Sequence, residues 1–305
     1  MTADQSGTVT PPHDHSLPPA HLRSHHAPRL FPTAPPVIRL NGVTAGYDGQ
    51  AAIEDISLEI PAASLVAILG PNGGGKSTVL KVIAGLLRPW RGTVEVLGAP
   101  PGRQAHRVAY VPQAESVDWS FPVTVWDVVM MGRYPKLGPL RRPGSEDRDR
   151  VRYALEQVGM AERAQTQVGS LSGGQRRRAF LARALVAEPD LYLLDEPVTG
   201  VDIGTQEDLM HILDQEAGRG RSTVATTHDL AAAAHHFDHL IAINRRIIAS
   251  GSADEVLASD VLARIYGGHV VILGGRALLL DDAHHHDREA PGEPGHFHEG
   301  ERGRR

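Results

Sequence analysis

Nine consecutive residues, Gly70-Pro71-Asn72-Gly73-Gly74-Gly75-Lys76-Ser77-Thr78, bring together a pliable backbone, a cation and two hydroxyls. Glycines let the chain curl so that successive N–H groups point inward at phosphate oxygens. Lys76 is suited to bridge β- and γ-phosphates, Ser77 to ligate magnesium and Thr78 to add a further phosphate contact. The bland alternative is a glycine-rich turn that merely joins a strand to a helix. A buried-strand pattern, the complete motif and a helical pattern follow one another in order here, which weighs against that alternative and makes nucleotide binding the firm expectation.

Two further groups add chemistry. The run Leu191-Tyr192-Leu193-Leu194 ends in Asp195-Glu196, which sets two carboxylates at the carboxyl end of a buried strand, where ligands of open α/β sheets bind. Asp195 suits a magnesium shell, and Glu196 suits polarisation of an attacking water as general base. Alone, such a pair is more often a helix cap; behind a phosphate loop the catalytic reading gains. Leu171-Ser172-Gly173-Gly174-Gln175 precedes a helical pattern from Arg176 to about Ala187, so Ser172 and two glycines mark a helix amino terminus and a second anion site. Two such sites in one chain make sense if each completes the other's pocket across a dimer.

The elements that must position these groups are legible as patterns. Leu65 to Leu69 is a continuous apolar run, the mark of a strand buried on both faces of a parallel sheet, and a helix is expected from Lys76 to about Leu87. Val108–Val111, Leu191–Asp195, Thr223–Thr227 and Leu240–Ile243 would extend the parallel core, while Val37–Leu40, Ile53–Ile60 and Thr93–Leu97 read as antiparallel strands. Between Gln113 and about Val168 the pattern turns helical, with candidates at Thr124–Gly132 and Glu146–Val158.

Composition bounds the rest. With 305 residues, 41% of them hydrophobic, the chain suits one cassette with lobes. Residues 1–36 are rich in Pro and His, and residues 283–305 in His, Gly, Glu and Arg; both are expected to be disordered tails around a core of 37–282. No window approaches 18 uninterrupted apolar residues and no signal-like amino terminus is seen, so a chain that stays in the cytoplasm is expected. Cysteine is absent, which excludes disulfides and thiolate metal sites, and a net charge of −5 offers no basic footprint for nucleic acid.

With LSGGQ at Leu171–Gln175, the chain resembles the ATP-binding cassette (ABC) family of transporter ATPases over roughly Val37 to Asp282. The resemblance implies a P-loop core with a RecA-like parallel sheet, an antiparallel β subdomain, a helical subdomain at about 113–168, and head-to-tail pairing of two copies around two ATP molecules. It also implies roles for single residues. Tyr47 is similar to the aromatic that stacks on adenine, Gln113 to the glutamine that touches magnesium and water, His228 in Thr226-Thr227-His228-Asp229 to the switch histidine on the γ-phosphate, and Asp202 to the acidic residue that links the paired sites. Val198-Thr199-Gly200-Val201-Asp202 departs from the Ser-Ala-Leu-Asp of much of the family and matches its metal-transporting branch.

That branch is also indicated by the aromatic, apolar stretch from Asp118 to Tyr134, which resembles importers of manganese, zinc and iron. In the family this region faces the membrane subunit, so two integral-membrane permease subunits, an extracytoplasmic metal-binding protein and attachment at the cytoplasmic face of the membrane are implied. Of 17 histidines, His13, His15, His21, His25 and His26 lie in one tail and His284, His285, His286, His296 and His298 in the other. Imidazole suits zinc, nickel, copper and cobalt, so these tails either bind such ions or are merely solvated low-complexity sequence. A siderophore, cobalamin or exported cargo, or a soluble ATPase acting on DNA or ribosomes, are the competing readings.

Overall fold

In chain order, β1 (Ile38–Tyr47) and β2 (Gln50–Ile60) pair antiparallel, β3 (Leu65–Leu69) leads into α1 (Lys76–Ile83), and β4 (Arg91–Val96) returns to the free edge of β1. This computed structural model describes residues 35–113, 121–138, 140–197 and 203–266, with backbone alone at 270–273 and 276–279. Asp202, residues 114–120 and both His-rich tails lie outside the described residues.

After β5 (Val108–Val111) come the helices α2 (Val125–Met131), α3 (Tyr134–Leu137), α4 (Ser145–Gln157) and α5 (Gly173–Val186). Then β6 (Leu191–Asp195), α6 (Ile203–Gly218), β7 (Ser222–Thr227), α7 (Leu230–His236), β8 (His239–Asn244) and β9 (Arg246–Gly251) complete the main sheet, followed by α8 (Ala253–Val256), α9 (Ser259–Tyr266) and the hairpin β10 (Val270–Leu273) and β11 (Arg276–Leu279). The main sheet has the order β5-β6-β7-β3-β8-β9, parallel except for β9. The smaller antiparallel sheet has the order β2-β1-β4.

Every side chain of β3 is buried, because helices cover both faces of the strand at the middle of the sheet. Val66 and Ile68 join the core shared with α1 and the antiparallel sheet, whereas Ala67 and Leu69 join the core under α8 and α9. Strand β6 divides its residues likewise: Leu191 and Leu193 face the α1 side, Tyr192 and Leu194 the helical side. That two-sided burial is why both strands read as unbroken apolar runs.

The elements depart from expectation mostly at their ends. Helix α1 stops at Ile83 rather than near Leu87, since Gly85 takes φ 76° and Leu86 N–H turns back to the Lys81 carbonyl. Helix α5 starts at Gly173, a turn before Arg176, because Ser172 and Gln175 cap it reciprocally. Thr124 and Asp127 do the same for α2.

The helical region is pinned by one buried cation. Arg133, 7% exposed, donates from Nε to Asp147 Oδ1 at 2.9 Å and from Nη1 to the Val186 carbonyl at 3.1 Å, the end of α5. The other Asp147 oxygen accepts the Gly144 N–H at 2.9 Å at the start of α4, which together with Arg133 holds this carboxyl below its usual range. One guanidinium thus ties α3, α4 and α5. Replacing it strands a buried carboxylate, so Arg133→Ala is expected to cost about 3 kcal/mol, read as a lowered urea midpoint.

Candidate active site

Strand β3 delivers the chain into the phosphate loop at the carboxyl edge of the sheet. Gly70 passes so close to β8 that a Cβ there would sit 2.0 Å from the Ile243 carbonyl oxygen. Gly75 adopts φ 95°, and a Cβ on it would lie 2.5 Å from Ile53 Cγ2 and 2.8 Å from the Ala52 carbonyl. No side chain caps α1 at Gly75, so the first N–H groups of the helix are left to a ligand. Between these points Asn72 and Gly73 are exposed, and Gly74 is buried. Gly74 donates to the Pro71 carbonyl at 3.0 Å and accepts the Arg245 N–H at 2.8 Å.

Lys76 is 5% exposed, and its ammonium donates to the Gly70 and Pro71 carbonyls at 2.9 and 3.1 Å. Burial pushes its pKa down, and the charges of Glu196 and Asp195 oppose that shift. Thr78, one turn into α1, is also buried.

A single hydrogen-bonded chain joins four of the expected residues. Ser77 Oγ donates to Asp195 Oδ1 at 3.0 Å, and Thr226 Oγ1 donates to the same oxygen at 2.8 Å. Thr226 Oγ1 in turn accepts the Glu196 N–H at 2.9 Å, and Gln113 Nε2 donates to Glu196 Oε2 at 3.4 Å. Glu196 has φ 50°, a left-handed conformation costing about 1–2 kcal/mol in a residue with a Cβ, and the Thr226 hydroxyl grips its N–H at that bend.

The remaining residues line the same edge or stand apart. His228 is exposed just beyond β7, the strand between β6 and β3, and Asp229 after it caps α7 by accepting the Ala232 N–H. Tyr47 ends β1 with 45% exposure, and the Lys81 ammonium lies 5.7 Å from its ring centroid. Ser172 and Gln175 bond to each other at the start of α5, with Gly173 exposed beside Ser172, and among the described residues none of their hydrogen bonds runs to the phosphate loop. Asp202 lies outside the described residues. Sequence reasoning passed over Thr226 and Arg245. A buried hydroxyl in a core strand was the available signal for the first; the second acts through its backbone, which leaves no trace in residue type.

A profile of the ABC transporter family matches residues 53–199. The zinc transport system ATP-binding protein TroB of Treponema pallidum is 43% identical over 233 residues, 76% of this chain and 88% of that protein. The chain belongs to the ABC transporter family. The manganese transport system ATP-binding protein MntB of Bacillus subtilis is 40% identical over 241 residues, covering 79% of this chain and 96% of that one. Among solved structures, CbiO1 from Clostridium perfringens, part of the ABC transporter complex CbiONQ, superposes with a TM-score of 0.63 at 27% identity, covering 76% of this chain and 94% of that one. The phosphate loop, mixed sheet and helical region are those of an ABC ATPase, the subunit type that hydrolyses ATP.

The loop geometry sets an expectation for this ABC ATPase. Gly75→Ala should weaken nucleotide binding about tenfold or more, since the positive φ alone costs about 1–2 kcal/mol and the new methyl meets Ile53 and Ala52. Gly73→Ala carries the same kind of backbone cost at φ 76° but its methyl meets open space, so it should lose less; titration with a fluorescent ATP analogue compares the two.

Proposed function

We propose that this ABC ATPase powers import of a divalent metal cation, zinc or manganese first, from the cytoplasmic face of the membrane. The observation that carries the reading is the 40–43% identity to zinc and manganese transport ATP-binding proteins over 88–96% of their length. Among the described residues no helix is long and apolar enough to cross a membrane. In this reading two permease subunits form the translocation path and an extracytoplasmic binding protein delivers the ion, as the similarity to ATP-binding proteins of zinc and manganese transport systems supports. Phe121, Met131, Tyr134 and Leu140 around α2 and α3 are 40% or more exposed, which supports this part of the helical region as the permease contact.

The donor set fits magnesium: Ser77 Oγ, the Asp195 carboxylate and the Gln113 side-chain carbonyl are hard oxygen ligands gathered in one hydrogen-bonded cluster. Magnesium, bound with ATP, supplies charge neutralisation on the β- and γ-phosphates. Lys76 exchanges the Gly70 and Pro71 carbonyls for phosphate oxygens, Thr78 adds a contact, and the N–H groups of the loop from Gly70 through Pro71, Asn72, Gly73, Gly74 and Gly75 to α1 surround the phosphates. Tyr47 stacks on adenine. Glu196 takes the proton of the attacking water, Gln113 holds the Glu196 carboxylate toward it, and His228 contacts the γ-phosphate.

A second copy pairs head to tail, so that its Ser172, Gly173, Gly174 and Gln175 close over the γ-phosphate and its Asp202 communicates between the two sites. Closure drives the permease through its alternating states, and hydrolysis resets the pair. The His-rich tails buffer transition metal near the transporter.

Glu196→Gln should cut ATP turnover about 100-fold or more and trap ATP-bound dimers on size exclusion; wild-type turnover would remove Glu196 from its role. For cargo, the ATPase reconstituted with its permease and binding protein in liposomes should be stimulated by zinc or manganese above iron and nickel. Turnover indifferent to every metal would leave the ATPase standing and point to a siderophore or another organic substrate.

A further inference from the structure

Tyr110 on β5 is half-buried against the α1-side core; its hydroxyl is itself buried and within reach of Asp195, but among the described residues it forms no hydrogen bond of ordinary geometry. A buried hydroxyl without a well-formed hydrogen bond costs about 1–3 kcal/mol of desolvation, a cost that a closer approach to Asp195 would remove. The strand register says what it faces. In the parallel pair of β5 and β6, Tyr110 stands opposite Leu193, and Leu193 and Asp195 point to one face because side chains alternate along a strand. Tyr110, Leu193 and Asp195 therefore share the α1 face, with Tyr110 one side-chain repeat short of Asp195, a gap that a tyrosine leaning along the strand spans. Burial first, and then the charge of Asp195, hold the proton on this hydroxyl.

Asp195 is unevenly served. Its Oδ1 accepts from both Ser77 and Thr226, and the Tyr110 hydroxyl is the further group that acts on this carboxylate. Ser77 is also the hydroxyl assigned to magnesium, so loading the site turns it from the carboxylate toward the metal. We propose that Tyr110 is a positioning residue for the magnesium site, its hydroxyl donating to the second oxygen of Asp195 as Ser77 turns to the metal. This rests on the assignment of Asp195 and Ser77 to magnesium given above. The ring reaches its place through β5, three residues before Gln113, so one strand would supply both a ligand and the brace for its neighbour.

Tyr110→Phe removes only the hydroxyl and should leave the melting temperature of the nucleotide-free protein unchanged or slightly raised. Manganese, a spectroscopic substitute for magnesium, is titrated by electron paramagnetic resonance into protein with a non-hydrolysable ATP analogue. Metal affinity is expected to fall about three- to tenfold, the worth of one neutral hydrogen bond, while analogue binding in excess EDTA stays at the wild-type value. Unchanged manganese affinity overturns the proposal, as does a parallel loss with and without metal, which would make the tyrosine a packing element. Asp195→Asn run alongside separates the two layers: if it too leaves manganese affinity unchanged, the magnesium assignment itself falls.

Discussion

The hydroxyl of Thr226 is the constraint on which the site depends. It donates to Asp195 and accepts from the Glu196 N–H, so one atom on β7 sets the rotamer of one carboxylate and the backbone direction of the next. Adjacent residues of a strand point to opposite faces, and Asp195 obeys that rule while Glu196 breaks from it with φ 50°. The strained turn lets two consecutive carboxylates serve one site, Asp195 tucked toward Ser77 and Glu196 turned toward Gln113. A valine in place of Thr226 would keep the strand and its packing but leave that turn without its grip.

The phosphate loop depends on a brace of a different kind. The carbonyl of Ile243 blocks any side chain at Gly70, and the Arg245 N–H holds the Gly74 carbonyl from outside. Arg245 also reaches the antiparallel sheet, its guanidinium donating to Ala51 and Glu54 and its carbonyl accepting the Glu54 N–H. The turn between β8 and β9 thus locks together the loop, the main sheet and the sheet that ends in Tyr47. Neighbours about 170 residues further along the chain, together with Ala52 and Ile53 beside Gly75, hold these nine consecutive residues in place.

Legibility in the sequence followed the range of the force involved. Core strands were readable because burial on both faces leaves a run such as Leu65–Leu69, and the phosphate loop and acidic pair because their chemistry needs particular residue types at fixed spacing. Helix ends were less readable: whether α1 stops at Gly85 or continues to Leu87 turns on a backbone choice that apolar periodicity does not report. Strand β9, whose residues are mostly half-buried, leaves no strong pattern, and its partner β8 runs one residue past the apolar stretch that ends at Ile243. Thr226, Arg245 and Tyr110 carry no role in the sequence reading, for one reason. Each matters through what it meets across the sheet, which composition and spacing do not encode.

The start of α5 carries the last step. A helix begins with four N–H groups that lack intrahelical acceptors. Here, among the described residues, Ser172 Oγ takes only the Gln175 N–H, at a long 3.4 Å, and Gln175 folds its side chain back onto the Ser172 N–H. The N–H groups of Gly173 and Gly174 come ahead of any intrahelical acceptor, and Gly173 has no side chain to shield them at an exposed position. A single chain gains nothing from a positive helix end held open toward solvent. In the head-to-tail pairing proposed above a pair of chains would gain: each would offer two donors and a dipole to a phosphate held by the other, and neither pocket would be complete until they met.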